Sequence, residues 1–579
     1  MGGGRSVIIR RSRRDQSAHL PDDLHPVLRR VYAARGLLRA DQLQRGLDRL
    51  LPASQLMGME AAVDLLGTAL MERRRILVIG DFDADGATST ALAVRVLRAC
   101  GAAHVEYLVP DRFRYGYGLT PGIVRVAVDR APDLIVTVDN GISSIDGVRA
   151  AKEAGIRVLV TDHHLPGQRL PDADAIVNPN QPGDEFASKN LAGVGVMFYL
   201  LAGLRARLRQ EGWFTRQGLK EPILADYLDL VALGTVADVV PLDHNNRVLV
   251  EQGLRRIRAG RACPGIQALL EVAGRNPRRA VASDLGFFAG PRINAAGRLE
   301  DMSIGIECLL ADDPGRAREL AAQLNDLNLE RRAIEDRMRE EALAEVERLH
   351  LEDGAGLPVG LCLYDGDWHQ GVVGLVASRV KDRVHRPVIA FAPGENGELK
   401  GSARSVPGLH IRDALDEIAT THPGLIDRFG GHAMAAGLSL QPERLEDFRV
   451  AFDAQVRRHL GADDLRGMVW SDGELAPSEL NLELAEALRY GGPWGQGFPE
   501  PVFDGRFRVE RRRVVGDRHL KMTVRPEQGD IALDAIAFGF PLERMPDEGS
   551  RMHLAYRLDV NEYRGLRGLQ LLVEWLQEE

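Results

Sequence analysis

Short apolar runs alternate with helix-period stretches from Ala61 to about Val240. Runs of strand length stand at 76–80, 105–109, 134–138 and 157–161, with another at 230–233 whose text also allows helix. Between them, residues 88–99, 121–130 and 144–154 carry the apolar spacing of helices. Strands apolar throughout and joined by helices predict an α/β fold, a parallel sheet with helices on both faces. Residues 316–350 contain neither Gly nor Pro and carry Leu320, Leu324, Leu327 and Ile334 along one face. That pattern predicts one long, largely polar helix connecting two domains.

A second, smaller α/β domain is expected over 351–460, with strands near 359–364 and 387–391, helices at 371–381 and 411–419, and a glycine-rich turn at 430–437. From Met468 onward, short alternating runs such as Phe503, Phe507 and Val509, or Leu554, Tyr556 and Leu558, suit a β-rich barrel or OB-like module. The expected division is therefore 1–50, 51–315, 316–350, 351–460 and 461–579. The first segment has helical periodicity at Leu24, Val27, Leu28 and Val31, and again at Leu43, Leu47 and Leu50, but no identifiable site.

Composition narrows the class. Charged residues at 27% and hydrophobic ones at 45% are ordinary for a water-soluble globular chain. No apolar run approaches the roughly 18 residues that cross a bilayer, so no membrane partner is expected. The basic opening MGGGRSVIIRRSRR lacks the apolar core of a signal peptide. Cys100, Cys263, Cys308 and Cys362 are far apart, which suggests neither a disulfide framework nor a zinc finger. A cytoplasmic location follows as the expectation. The net charge of −9 argues against a protein that coats duplex DNA, yet permits a nuclease whose acidic site outweighs a basic groove.

Chemistry gathers at the strand ends. The run 76–80 stops at Asp81, Asp83 and Asp85, which converge if the backbone stays extended; alternatively Asp85 caps a helix. The run 134–138 ends in Asp139-Asn140-Gly141, the run 157–161 in Asp162-His163-His164, and the run near 230 leads to Asp238. Parallel sheets bind ligands outside the carboxyl ends of their strands. Each group also has a bland role, Asp139 as a turn former and His163 as a core histidine. Together, carboxylates with imidazole and no thiolate suit Mn²⁺ or Mg²⁺, and their number points to two divalent ions. Two such ions are a phosphodiester-hydrolysing arrangement.

Eight stretches carry a family resemblance: GDFDADG (80–86), PDRFRYGYGL (110–119), TVDNG (137–141), TDHH (161–164), GTVADVVPL (234–242), GPRINAAGR (290–298), GSARS (401–405) and GGHAMAAG (430–437). In this order they resemble the DHH phosphoesterase superfamily, in its branch of single-strand-specific 5′→3′ DNA exonucleases. The resemblance implies that 51–315 is a DHH catalytic domain, 351–460 a DHHA1 substrate-binding domain and 461–579 a nucleic-acid-binding module. It implies metal-dependent release of 5′-mononucleotides from single-stranded DNA, in repair and recombination, with single-strand-binding protein and a helicase as partners.

By the same resemblance, Asp83 binds one metal and Asp85 the other, Asp139 bridges them, and His163 and Asp238 complete the second site. Asp81 is either a ligand or a neighbour of one. His164 contacts the scissile phosphate, Asp162 orients its neighbours, and His432 contacts substrate, with Gly430 and Gly431 admitting a phosphate to the backbone. Arg112, Ser402 and Arg404 match positions that hold the 5′-terminal phosphate. Arg292, Asn294 and Arg298, read as a Gly/Pro-rich loop, line the path of the strand or stabilise that loop. Phe113, Tyr115 and Tyr117 are the candidate stacking platforms, whereas Trp368 suits core packing. The Arg511-Arg512-Arg513 cluster suits a solvated strand face. A cleft between the domains is expected to admit a flexible strand and refuse a duplex. Rival readings are a phosphoesterase for oligonucleotides, cyclic dinucleotides or pyrophosphate, and a catalytically silent DNA-binding scaffold.

Overall fold

The computed structural model describes residues 7–11, 19–111, 114–352, 357–394, 397–461, 464–516, 518–563 and 566–579. Arg112 and Phe113, two of the residues singled out above, lie outside the described residues.

Five parallel strands form the first sheet: β1 (Arg75–Gly80), β2 (His104–Leu108), β3 (Leu134–Val138), β4 (Arg157–Thr161) and β5 (Ala175–Val177), in the order β2-β1-β3-β4-β5. The chain leaves β1 toward β2 and then returns to the other side of β1 as β3. The switch point, where such sheets bind ligands, therefore lies between the ends of β1 and β3. Leu77, Val78 and Ile79 are fully buried, which stabilises the sheet by roughly 1.5–3 kcal/mol per side chain. The edge strand β5 is new. Three residues are too few to show a period.

Helix α1 (Ala84–Ala99) starts directly after the first aspartate cluster. Helices α2 (Gly193–Gln210), α3 (Leu228–Ala237) and α4 (His244–Arg258) follow. The run 230–233 is thus helical throughout, not a strand. Leu228 and Leu230–Leu233 are buried because α3 is packed by α1, α2 and α4 together. A helix that is apolar all round has no polar face to reveal its period. GPRINAAGR is likewise no loop but helix α5 (Gly290–Leu299), with Pro291 in the first turn, where a missing N–H costs nothing.

The long helix α6 (Pro314–Glu352) forms as expected and buries Leu320, Leu324 and Leu327. The chain packs as two compact units, one of residues 10–328 with 471–579, the other of residues 329–470 with 7–9. In the latter, β6 (Leu361–Tyr364), β7 (Val388–Pro393), β8 (Leu399–Arg404), β9 (Arg428–Gly431) and β10 (Ala435–Leu440) make a mixed sheet in the order β9-β10-β8-β7-β6. Helix α7 (Val373–Val384) packs on β7 and β8. The later half of α6 is less polar in effect than in text. Arg331 donates to Glu335, which also accepts from Arg379 Nε at 3.0 Å, and Trp368 is buried with its Nε1 donating to Glu341 at 2.9 Å. Gly430 and Gly431 end strand β9, so the expected glycine-rich turn shrinks to 432–434.

In the first unit, β11 (Phe503–Val515), β12 (His519–Pro526), β13 (Leu533–Ala537), β14 (Arg551–Tyr563) and β15 (Leu566–Glu578) close into a barrel in the order β11-β12-β13-β15-β14. Closure leaves no open strand edge. Arg511 and Arg513 are exposed on it, while Arg512 donates to the Met545 and Pro546 carbonyls. No helix among the described residues is long and apolar enough to cross a membrane.

The N-terminal segment belongs to this unit. Pro26–Ala34 is helical as its period predicts, but Leu43 and Leu47 fall in the short 3₁₀ turns Ala40–Leu43 and Leu47–Arg49. Arg35 holds the segment to the barrel side by a two-point pair with Asp472, at 2.8 and 3.0 Å, with both side chains buried. Asp472→Ala leaves that guanidinium dry and unmatched. The variant is expected to lose about 3–5 kcal/mol of stability, read as a lower urea midpoint for this unit; an unchanged midpoint refutes the anchoring role.

Candidate metal centre

The site is built where β1, β3 and β4 end. After Gly80 the chain turns, and Asp83 rather than Asp85 is the helix cap: its Oδ1 accepts from Asp85 N at 2.9 Å and Gly86 N at 3.0 Å. The three aspartates are therefore not on one extended stretch. They converge because a turn and the first turn of α1 fold them together. Asp81, Asp83 and Asp139 each offer an oxygen within 4.8 Å of the others. Asp85, His163 and Asp238 form a second such group, and Asp139, His163 and His164 a third. Asp139 and His163 are each shared by two groups.

Backbone geometry aims these side chains. Asp139 adopts a left-handed φ of +63°, a conformation aspartate tolerates better than most residues. Asn140 Nδ2 donates to the Ile79 and Val138 carbonyls, tying β1 to β3 beneath it. Two glycines make room. A Cβ on Gly193 would stand 2.7 Å from Asp139 Oδ1, and one on Gly234 2.7 Å from Asp85 Oδ1. Asp85 is fully buried and accepts from Gly193 N at 2.6 Å and Val194 N at 3.0 Å, the amino end of α2.

The electrostatics are those of anions crowded in a dry place. Burial first, and the neighbouring carboxylates second, push Asp85 up to about 7 and hold Asp139 and Asp238 well above the usual carboxylate range. Asp139 Oδ1 and Asp238 Oδ2 are buried oxygens that accept no hydrogen bond. Both face His163 Nε2, at 3.1 and 3.4 Å. Buried carboxylate oxygens gathered around one imidazole nitrogen are a donor set that fits a divalent cation.

Asp162 differs in that its oxygens are used. Oδ1 accepts from His163 N, His164 N and His164 Nδ1, the last at 2.7 Å, and Oδ2 from Ile142 N at 2.9 Å. Burial works to raise its pKa, but the His164 contact outweighs it and holds Asp162 below the ordinary value. Burial likewise disfavours a charged His164, yet Asp162 lifts it to about 9. Tyr117, half exposed, donates its hydroxyl to the Asp139 carbonyl at 3.1 Å and lies 3.2 Å from His164 Nδ1.

Two further side chains escaped sequence reasoning. Asn178 Nδ2 donates to the His164 carbonyl at 2.9 Å and Asn180 Nδ2 to the His163 carbonyl at 2.6 Å. They follow the unrecognised strand β5, and the triplet Ala175-Ile176-Val177 before Asn-Pro-Asn was their only signal. On α5, Arg292 donates to the Phe288 carbonyl and Asn325, and Asn294 Oδ1 accepts from Ala84 N at 2.7 Å. These two brace the structure around the aspartate turn; Arg298 is half-buried on the same helix.

In the other unit, Arg404 Nη1 donates to Ser402 Oγ at 3.0 Å. Both side chains lie against Gly374 in the first turn of α7, within 2.9 Å of where its Cβ would stand. Burial lowers the Arg404 pKa. His432 is exposed on the 432–434 turn.

Comparison with known proteins agrees with this layout. Residues 75–235 match the DHH family, N-terminal domain, residues 358–458 the DHHA1 domain, and residues 471–575 the RecJ OB domain. The chain is 57% identical over 567 residues to the single-stranded-DNA-specific exonuclease RecJ of Dickeya dadantii, covering 98% of both chains. The crystal structure of RecJ from Thermus thermophilus in complex with Mn²⁺ superposes with a TM-score of 0.78 at 31% identity, over 99% of this chain and 80% of that one. Its Mg²⁺ complex gives 0.73 at 29% identity, over 99% and 79%. The chain belongs to the RecJ family of single-stranded-DNA-specific exonucleases.

Proposed function

We propose that this protein hydrolyses single-stranded DNA from its 5′ end with two divalent ions, Mn²⁺ or Mg²⁺, releasing 5′-mononucleotides. The observation that carries the reading is the pair of buried, unbonded oxygens on Asp139 and Asp238 facing one imidazole nitrogen. Asp81, Asp83 and Asp139 would hold one ion, and Asp85, Asp139, His163 and Asp238 the other. Bound there, the ions activate water and stabilise the leaving oxygen of a phosphodiester. The protein's own groups do the rest. His164, held by Asp162 at 2.7 Å, meets the scissile phosphate. Asn178 and Asn180 fix the main chain of both histidines. Tyr117 offers a half-exposed ring for a terminal base.

The 5′ polarity is supported by Arg404, a half-buried guanidinium with a serine hydroxyl and the amino end of α7 beside it. That is the chemistry of a terminal-phosphate pocket. Arg112, Arg298, Gly430, Gly431 and His432 are proposed to contact the strand, and Arg292 and Asn294 to act by supporting the site. A substrate of unpaired DNA calls for a helicase to expose it and single-strand-binding protein to keep it open. Both are proposed partners, in the cytoplasm.

Asp139→Asn keeps the shape and the left-handed backbone but removes the shared charge. It is expected to cut turnover by several orders of magnitude with an unchanged melting temperature, and near-normal turnover refutes the bridging role. Arg404→Ala is expected to weaken 5′-phosphorylated substrates about 10- to 100-fold, the worth of a charged hydrogen bond, while sparing 5′-hydroxyl ones. Equal losses on both in a binding assay would remove the end pocket. Turnover of a dinucleotide faster than of a long 5′-phosphorylated strand would favour the small-substrate phosphoesterase.

A further inference from the structure

The loop that follows Asp238 carries an unusual backbone. Val239 has φ +62°, and a β-branched residue there is strained. Such a conformation persists only where its surroundings over-determine it. Val239 itself is exposed, and it is Pro241 and Leu242, the two residues that follow Val240, that meet a turn of the C-terminal module. The Gln496 carbonyl accepts from Leu242 N at 2.7 Å. Arg247 donates to the Leu242 carbonyl at 3.0 Å and lies 4.5 Å over the Phe498 ring. The turn is pressed flat on the loop: a Cβ on Gly495 would stand 2.7 Å from Leu242 Cδ1, and one on Gly497 3.2 Å from Pro241 Cβ.

The far side of the turn is held by the N-terminal segment, for which the sequence offered no role. Tyr32 donates its hydroxyl to the Gly491 carbonyl at 2.9 Å. Arg45 donates to the Gly491 carbonyl at 2.7 Å and to the Gly492 carbonyl as well. Arg35 Nε donates to the Pro499 carbonyl at 2.8 Å. Three layers are thus stacked: the N-terminal segment, the 491–498 turn and the Asp238 loop.

We propose that the 491–498 turn, clamped from behind by Arg45 and Tyr32, is a positioning device for Asp238, so that the C-terminal module sets the metal affinity of the catalytic centre. This rests on the reading of Asp238 as a metal ligand. A brace of this kind governs how tightly the ion is held, not how the strand is gripped. Supporting groups around a ligand are worth about 10- to 100-fold in metal affinity.

The test uses the full chain with Gly495→Ala and Gly497→Ala, and Gly539→Ala as reference. Gly539 is another left-handed glycine of the barrel module, with φ +61° and nothing within 4 Å of an added Cβ. Mn²⁺ dissociation is measured by the paramagnetic resonance signal of free ion, together with kcat and KM on a 5′-phosphorylated single strand. Gly495→Ala and Gly497→Ala are expected to weaken Mn²⁺ by about 10-fold or more, with KM unchanged and kcat recovered at saturating Mn²⁺; Gly539→Ala is expected to change neither. A raised KM with normal Mn²⁺ affinity, or no change at all, overturns the proposal. If the alanines lower the melting temperature, Arg45→Gln, which touches no metal-bearing element, makes the same measurement from behind the turn. Asp238→Asn separates the two readings. Normal Mn²⁺ binding in that variant would sink the metal-site assignment, whereas a loss there with none in the turn variants would sink only the brace.

Discussion

Like charges held in a dry place are the constraint on which the catalytic half of the chain depends. Asp81, Asp83, Asp85, Asp139 and Asp238 meet at the switch point of a parallel sheet, and for Asp85, Asp139 and Asp238 burial and mutual repulsion both oppose ionisation. The fold tolerates this by feeding donors to some carboxylates and leaving others bare. Asp162 and Asp85 are supplied with backbone N–H groups and an imidazole. Asp139 and Asp238 keep an oxygen bare.

The sheet was legible because β1, β3 and β4 are buried on both faces and read as unbroken apolar runs. The same rule misled at 230–233, since a helix packed on every side presents the same text as a buried strand. GPRINAAGR read as a loop for the opposite reason, its Gly and Pro masking a helix whose first turn can accept both. Most of the cluster of metal-type residues was legible from strand ends, but Asp238 closes a helix that read as a strand. The cluster's geometry was not legible, because Asp83 and Asp85 approach through a cap and a helical turn.

What stayed invisible was the support. Asn178 and Asn180 act through backbone carbonyls of residues 14 to 17 positions away, and no local pattern encodes such a bond. The first fifty residues looked idle because their partners, Asp472 and the 491–499 stretch, lie more than 400 positions downstream. Contacts of that separation are set by the finished fold, not by periodicity.

The proposed seat at Arg404 and Ser402 has a bearing on handling as well. The Arg404 guanidinium is half-buried beside Ser402 Oγ and the first turn of α7. An occupant that binds only the folded form stabilises, by mass action, the unit that holds it. Phosphate or sulfate in a buffer would then act in two ways at once, as a preservative of the smaller unit and as a rival to the DNA end for the same seat.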